Sequence, residues 1–216
     1  MHKYFDEFIK AFQLEDREAS LNLTLSKLKN DELDITELYT EILAPALNSM
    51  VQNENDKASI WREHVRSSII RTIIENCYPY VIKERNEKYK IKTDKKVAVV
   101  CPSEEYHEIG ARMITDFFTL LGYDAVFVGS NTPKDEFLEA LAVIKLDYIA
   151  ISVSNPYNLI AARKAIEKIS GANPKVKILV GGNAFNQHNN AYKEIGADMY
   201  LNKFEDILEL SKEDRL

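Results

Sequence analysis

The segment EEYHEIGARM, residues 104–113, sets Glu105 two positions before His107 and Gly110 three positions after it. It follows the apolar run KVAVVC after Pro102 and Ser103, so the histidine falls where a buried strand turns into a helix. An imidazole in that place can bind a metal or take a proton. Glu105 can accept its other N–H and so fix the tautomer, leaving the second ring nitrogen for the ligand. Two further groups end apolar runs in the same manner. Ser152 and Ser154 close DYIAIS and the SVS that overlaps it, and Gly181–Gly182 close KILVGG. Serines and glycines at strand ends leave a slot that larger side chains would plug. Each group also has an ordinary reading, because histidines cap or decorate helix starts and a glycine pair after a strand makes a turn. Taken residue by residue, both readings stay open.

Other chemistry is less visible. Ser, Cys and His groups are not arranged around one nucleophile, so no catalytic dyad is expected. Cys77 and Cys101 lie in different elements with no CxxC spacing and are expected to be buried thiols outside any disulfide or zinc site. His2 and His188 read as surface residues.

The elements that must position these groups follow from periodicity. Beyond residue 95 short apolar runs at 97–101, 125–128, 148–152, 177–180 and 199–201 alternate with helical segments at about 107–121, 133–145, 157–170, 188–195 and 204–212. Parallel strands joined by helical crossovers give an α/β domain with a flavodoxin-like (Rossmann-like) five-stranded parallel sheet, and its ligand crevice lies at the carboxyl ends of the strands. Before residue 90 the periodicity is helical throughout. Phe5, Phe8, Ile9 and Phe12 form one stripe and Leu21, Leu25 and Leu28 another. A third helix is expected over 36–50, capped by Asp34 and kinked by Pro45, and a fourth over 57–83. In the fourth, Val65, Ile69, Ile73 and Cys77 form one side and Trp61, His64 and Ser68 a neighbouring one. The charged stretch KERNEKYKIKTDKK suits a linker. The division expected is therefore 1–90 for a four-helix bundle and 91–216 for the α/β domain.

Composition excludes several functions. The chain has 216 residues, 45% of them hydrophobic and 29% charged, with a net charge of −6. That balance supports a real core and argues against a nucleic-acid surface. The apolar runs are strand-sized and the first residues carry no secretory signal, so a cytoplasmic protein with no membrane span is expected.

The spacing of the three groups is the specific signal. Forty-one residues separate Gly110 from Ser152 and 26 separate Ser154 from Gly181. This pattern resembles the fingerprint of cobalamin-binding domains, Asp-x-His-x-x-Gly, Ser-x-Leu and Gly-Gly. The resemblance implies cobalamin as cofactor, with His107 as the lower cobalt ligand in place of the cofactor's own dimethylbenzimidazole. It also implies that Ser152, Ser154, Gly181 and Gly182 line a slot for the nucleotide tail, and that Gly110 permits close packing beside it. Two positions depart from the pattern: Glu105 stands for Asp and Ser154 for Leu. The stretches HEIGARM and LLGYDAVFVGSNTP narrow the resemblance to the cobalamin domains of MerR-type photoreceptor regulators. In those proteins a helical bundle caps the upper face of the corrin and carries a tryptophan followed by a Glu-His pair. Glu63 and His64 supply the pair here. Ten positions before Glu63 stands Asn53, with Glu54 beside it. Trp61 is expected to project from another part of the helix than His64 and so not to substitute for the missing tryptophan. Tyr106 and Tyr157 are candidates for contact with the corrin, although ordinary packing explains such aromatics equally.

Three functions are then compatible with the sequence. The first is a cobalamin-binding sensor or regulatory module working through a protein partner. The second is a corrinoid methyl carrier serving a methyltransferase subunit, and the third a cofactor-free interaction domain. The upper cobalt ligand is left open, as is a homo-oligomer. A winged helix is not expected in the first helices, so direct DNA binding is not either.

Overall fold

The computed structural model describes residues 2–50, 57–186 and 190–215. The chain divides into two compact units, Met1–Lys88 and Tyr89–Leu216.

The first unit is helical. Helix α1 (Phe5–Gln13) buries Phe5, Phe8 and Phe12, with the rings of Phe8 and Phe12 stacked at 5.4 Å. Helix α2 (Arg17–Lys29) begins at Asp16, whose carboxylate accepts the Ala19 N–H at 2.9 Å. Its fully buried face is Ser20, Thr24 and Leu28, while Leu21 and Leu25 are half-buried. Polar residues can take that face because each hydroxyl returns a hydrogen bond to its own helix, Ser20 to Asp16 O at 2.7 Å and Thr24 to Ser20 O at 3.0 Å.

The third helix is interrupted. It starts at Asp34 with a full capping box: Glu37 N–H donates to Asp34 at 2.7 Å and Asp34 N–H to the Glu37 carboxylate at 3.0 Å. Helix α3 (Ile35–Glu37) passes into a π-helical stretch, Leu38–Leu43, and then into α4 (Ala44–Asn48). Pro45 has no N–H to give to the preceding turn. The ladder slips by one residue ahead of it, so that Ala44 N–H reaches Tyr39 O. Helix α5 (Ser59–Glu84) buries Ile69, Ile70, Ile73, Ile74, Cys77 and Val81. At its end Glu84 accepts the Ile35 N–H at 2.8 Å. Its second carboxylate oxygen is buried with no hydrogen-bond partner among the described residues.

The second unit is α/β. Strands β1 (Lys96–Pro102), β2 (Asp124–Thr132), β3 (Tyr148–Ser152), β4 (Lys177–Gly181) and β5 (Met199–Leu201) form a parallel sheet in the order β2-β1-β3-β4-β5. Helices α6 (Ile109–Leu120), α7 (Lys134–Val143), α8 (Leu159–Ala172), α9 (Ala191–Glu194) and α10 (Phe204–Glu213) alternate with them. The inner strands are buried along nearly their whole length, as strands covered on both faces must be, whereas edge strand β2 alternates. At the foot of the sheet the hydroxyls of Tyr123 and Tyr148 both donate to Asp214 at 2.8 Å, fixing the end of α10. The chain order reverses between β1 and β3, so the segments after these two strands face each other across the switch-point crevice. No helix of the described residues is long and apolar enough to cross a membrane.

Candidate functional site

The loop after β1 is bent to turn Glu105 inward. Glu105 N–H returns to Pro102 O at 3.0 Å, and Glu104 takes a left-handed backbone with φ 68°. That conformation is uncommon outside glycine and has to be held. Asn131, at the end of β2, holds it: its side-chain oxygen accepts Glu104 N–H at 2.8 Å and its own N–H donates to Glu105 O at 2.9 Å.

Glu105 is fully buried and its two oxygens accept five donors. Oε1 takes the His107 N–H at 3.0 Å and the His107 ring Nδ1–H at 2.6 Å. Oε2 takes the backbone N–H groups of Ser154 and Asn155, both at 2.9 Å, and the Asn158 side-chain amide at 3.1 Å. Burial by itself would raise the carboxyl. The donors from His107, Asn155 and Asn158 outweigh it and hold Glu105 down at about 2. A carboxylate in this state can only accept, so Nδ1 carries a proton, and in the neutral ring the lone pair then lies on Nε2. The His107 side chain is 60% exposed. The arrangement is an imidazole held in orientation by a carboxylate behind it, the kind of support that metal-binding histidines use. Cys101, at the end of β1, is no competing nucleophile, because burial and then the nearby Glu105 and Glu108 push its thiol up to about 12.

The remaining sequence candidates fall around this pair. Ser152 is the last residue of β3 and lies in register with Gly181 of β4. Ser154 is half-buried and gives its backbone N–H to Glu105. The glycine pair does more than leave room. A Cβ at Gly182, where φ is +103°, would stand 2.4 Å from Val153 O, and one at Gly181 would stand 2.8 Å from Leu201 O. Close backbone approach between the strand ends therefore requires both glycines. Gly110 differs: a Cβ there would meet nothing within 4 Å. Packing against the described residues therefore does not require glycine at that position.

Three asparagines, Asn131, Asn155 and Asn158, were not among the sequence candidates. Their signal was present only as Asn residues at strand ends and turn starts, where they favour left-handed backbone and short-range hydrogen bonds. Nothing in the sequence shows that two of them meet the same carboxylate.

In the helical unit Glu63 is half-buried and His64 exposed on α5. His64 and Trp61 line one cavity of about 400 Å³ with Glu15, Arg17, Val65, Ser68 and Ile69. The expectation that Trp61 projects from another part of the helix is thus incorrect. The two residues are three positions apart, and an i, i+3 pair shares a helix face. Asn53 and Glu54 lie outside the described residues, as does His188.

The B12 binding domain family matches residues 95–210, just over half of the chain, and the chain belongs to that family. It is a cobalamin-binding protein. Among curated relatives, it is 28% identical over 112 residues to dimethylamine corrinoid protein 3 of Methanosarcina mazei, a match covering 50% of this chain and 65% of that protein. It is 29% identical over 112 residues to the dimethylamine corrinoid protein of Methanosarcina barkeri, covering 50% of this chain and 51% of that one. The chain thus matches less than two thirds of either relative's length. Among solved structures it is similar to the Methanosarcina barkeri monomethylamine corrinoid protein, with a TM-score of 0.79 at 16% identity over 98% of both chains. It also resembles the methanol:cobalamin methyltransferase complex of the same organism, with a TM-score of 0.51 at 18% identity, covering 96% of this chain and 79% of that one. At these identities the structural likeness establishes the fold, helical unit first and α/β unit second.

Proposed function

We propose that this chain is a corrinoid methyl carrier: it holds cobalamin through His107 and presents it to a separate methyltransferase subunit. The observation that carries this reading is the buried Glu105 carboxylate, which accepts the His107 Nδ1–H at 2.6 Å and leaves the 60% exposed ring facing outward. Cobalamin, when bound, supplies a cobalt centre able to accept and release a methyl group. The protein's own part is to place one imidazole nitrogen, to fix its protonation and to receive the cofactor's tail. Ser152 and Ser154 with Gly181 and Gly182 edge the slot proposed for that tail, and Gly110 opens the space beside His107. At Asn53 the photoreceptor regulators carry tryptophan, and asparagine has no ring with which to shelter a bulky group, so this position gives the sensor reading no support.

The sensor reading drew on the resemblance to photoreceptor regulators. The curated relatives found are dimethylamine corrinoid proteins by name, and they support the carrier more strongly. A methyltransferase subunit is accordingly the partner proposed.

The test is reconstitution with cobalamin, reduction to the Co(II) state and EPR on protein labelled with 15N-histidine. Coupling of cobalt to one protein nitrogen is expected in the wild type and absent in His107→Ala. An identical spectrum in the two proteins would remove the ligand assignment. Carrier function itself is read by loading with methylcobalamin and following methyl transfer to a thiol acceptor when methyltransferase is added.

A further inference from the structure

The two edges of the sheet are protected unequally. Strand β5 closes one side and is only three residues long, so it offers few free N–H and C=O groups to another chain. Strand β2 closes the other side and, at nine residues, is the longest of the five. From Ala125 to Val128 it carries no charge and no proline, the residues with which natural sheets blunt an exposed edge. Its irregularities against β1 begin beyond Phe127, and the pairs from Lys96–Asp124 to Val99–Phe127 are regular.

One face of this edge is also uncovered. Val126 is in register with Ala98 of β1, and Ala98 shares its face with Val100 two positions on. Val100 belongs to the apolar cluster that Ala162, Ala165 and Ile166 of α8 close over. On β1 that face is shut, with Ala98 at 5% exposure and Val100 fully buried, whereas one strand further out Val126 and Val128 are each 52% exposed. The cover thus ends at β1. Helix α7, which links β2 to β3, packs beside α8 and fully buries none of its described side chains.

We infer that β2 is the contact through which two copies of this chain associate edge to edge. A two-fold axis normal to the sheet sets the two β2 strands antiparallel, so that each supplies the hydrogen-bond partners the other lacks. The same axis returns each face to itself. It brings Val126 and Val128 of one copy beside those of the other, the apolar cross-strand pairing that stabilises a sheet. Nine residues at about 3.3 Å each make an edge about 30 Å long, which at a sheet depth of about 10 Å covers about 300 Å². A stable dimer needs about 800 Å² from each copy. A second copy makes up the difference, because its own α6 and α7 flank its β2 and meet their counterparts by symmetry, while a lone extended segment would bury the strip only. This contact does not depend on what His107 binds.

The test is sedimentation velocity of the apo chain from about 1 to 100 μM, with hydrogen exchange measured at both ends of that range. Wild type is expected to pass from monomer to dimer, and within the sheet the added protection should be confined to the peptide covering residues 124–130. Val126→Lys combined with Val128→Lys sets lysines of the two copies against each other on one face and should raise the dimer dissociation constant about 100-fold or more. The thermal midpoint of the monomer should stay that of wild type, since both side chains are half exposed. Sedimentation as a monomer at every concentration overturns the inference. A dimer whose β2 exchanges as fast as the monomer's overturns it as well, and that wild-type comparison holds whether or not the lysine variant folds. Protection of β2 that appears only when methyltransferase is added would give this edge to that partner and rule out the second copy.

Discussion

Replacing Glu105 with glutamine keeps the shape of the side chain and removes its charge, and the five donors around it allow the cost to be counted. An amide has one acceptor oxygen where the carboxylate has two. With that oxygen toward His107, the new NH₂ group confronts the N–H groups of Ser154 and Asn155 and the Asn158 amide, now 2.9, 2.9 and 3.1 Å from an oxygen. Three donors, one buried and two half-buried, lose their acceptor, at about 1 kcal/mol each. Turned the other way, the NH₂ group opposes His107 and forces Nδ1 to accept, which moves the ring proton to Nε2 and blocks metal binding. The charge itself gives a second count. A carboxyl held at about 2 instead of its ordinary 4.5 prefers the ionised, folded arrangement by about 3 kcal/mol. The two routes agree.

A loss of about 3 kcal/mol corresponds to roughly a hundredfold faster exchange by local opening. Hydrogen exchange of the peptides covering residues 97–102 and 148–158 in the apo chain reads it directly. Cobalamin affinity should fall by about 10–100-fold or more, as it does when the group behind a metal-binding histidine is removed. The pH dependence has a definite sign. Because the folded carboxyl lies below its unfolded value, its contribution is fully present above about pH 4.5 and is lost as pH falls through about 2. Wild type and variant should converge in acid. Exchange rates within threefold of wild type at pH 7 would show that the carboxylate does not hold the loop, and the orientation argued for His107 would lose its basis.

Two further outcomes are expected. Gly182→Ala should lower the apo chain's thermal midpoint by the equivalent of about 2–4 kcal/mol, because its Cβ would stand 2.4 Å from Val153 O at a φ of +103°; a native midpoint would mean that the strand ends can separate. In the helical unit, burial and then the neighbouring Asp34, against the opposing Ile35 N–H bond, raise Glu84 to about 7, so its favourable contribution is complete below about pH 4.5 and lost as pH rises through 7. Glu84→Gln should therefore stabilise the helical unit above pH 7 by about 1 kcal/mol once solvent screening is allowed for, and not at pH 4, as followed by Trp61 fluorescence; equal stabilisation at both pH values would refute the shift.

The sheet was legible because its strands are short apolar runs separated by helix-length segments, and local pattern alone marks both. Each of the five runs at 97–101, 125–128, 148–152, 177–180 and 199–201 lies within or coincides with an observed strand. The interrupted third helix was legible only as a kink at Pro45. Where the missing N–H is absorbed depends on the turn before it, and the sequence carries no sign that the ladder would slip over Leu38–Leu43. In α2 the leucine stripe was misleading, since Ser20 and Thr24 can face inward once their hydroxyls bond to the preceding turn. At the candidate site, the pairing of Glu105 with His107 could be read from spacing because the two lie on one continuous stretch. Asn158 could not be found that way. It meets Glu105 across 53 residues of chain, and such a contact exists only when β1 and β3 are neighbours in the sheet.

That long-range contact bears on how the imidazole behaves. A carboxylate whose only partner was His107 would direct its whole charge at the Nδ1 proton and make the ring a strong donor. Here the charge is divided among five N–H groups, three of them from the segment after β3. Each donor on Oε2 draws electron density away from Oε1 and weakens the pull on the imidazole. Two of those three are backbone groups and cannot be altered without moving the loop. The third is the Asn158 amide, a side chain that acts on the pair through Oε2. On the reading that His107 is a ligand, its strength is then adjusted from the segment after β3, through the hydrogen bond that Asn158 gives to Glu105.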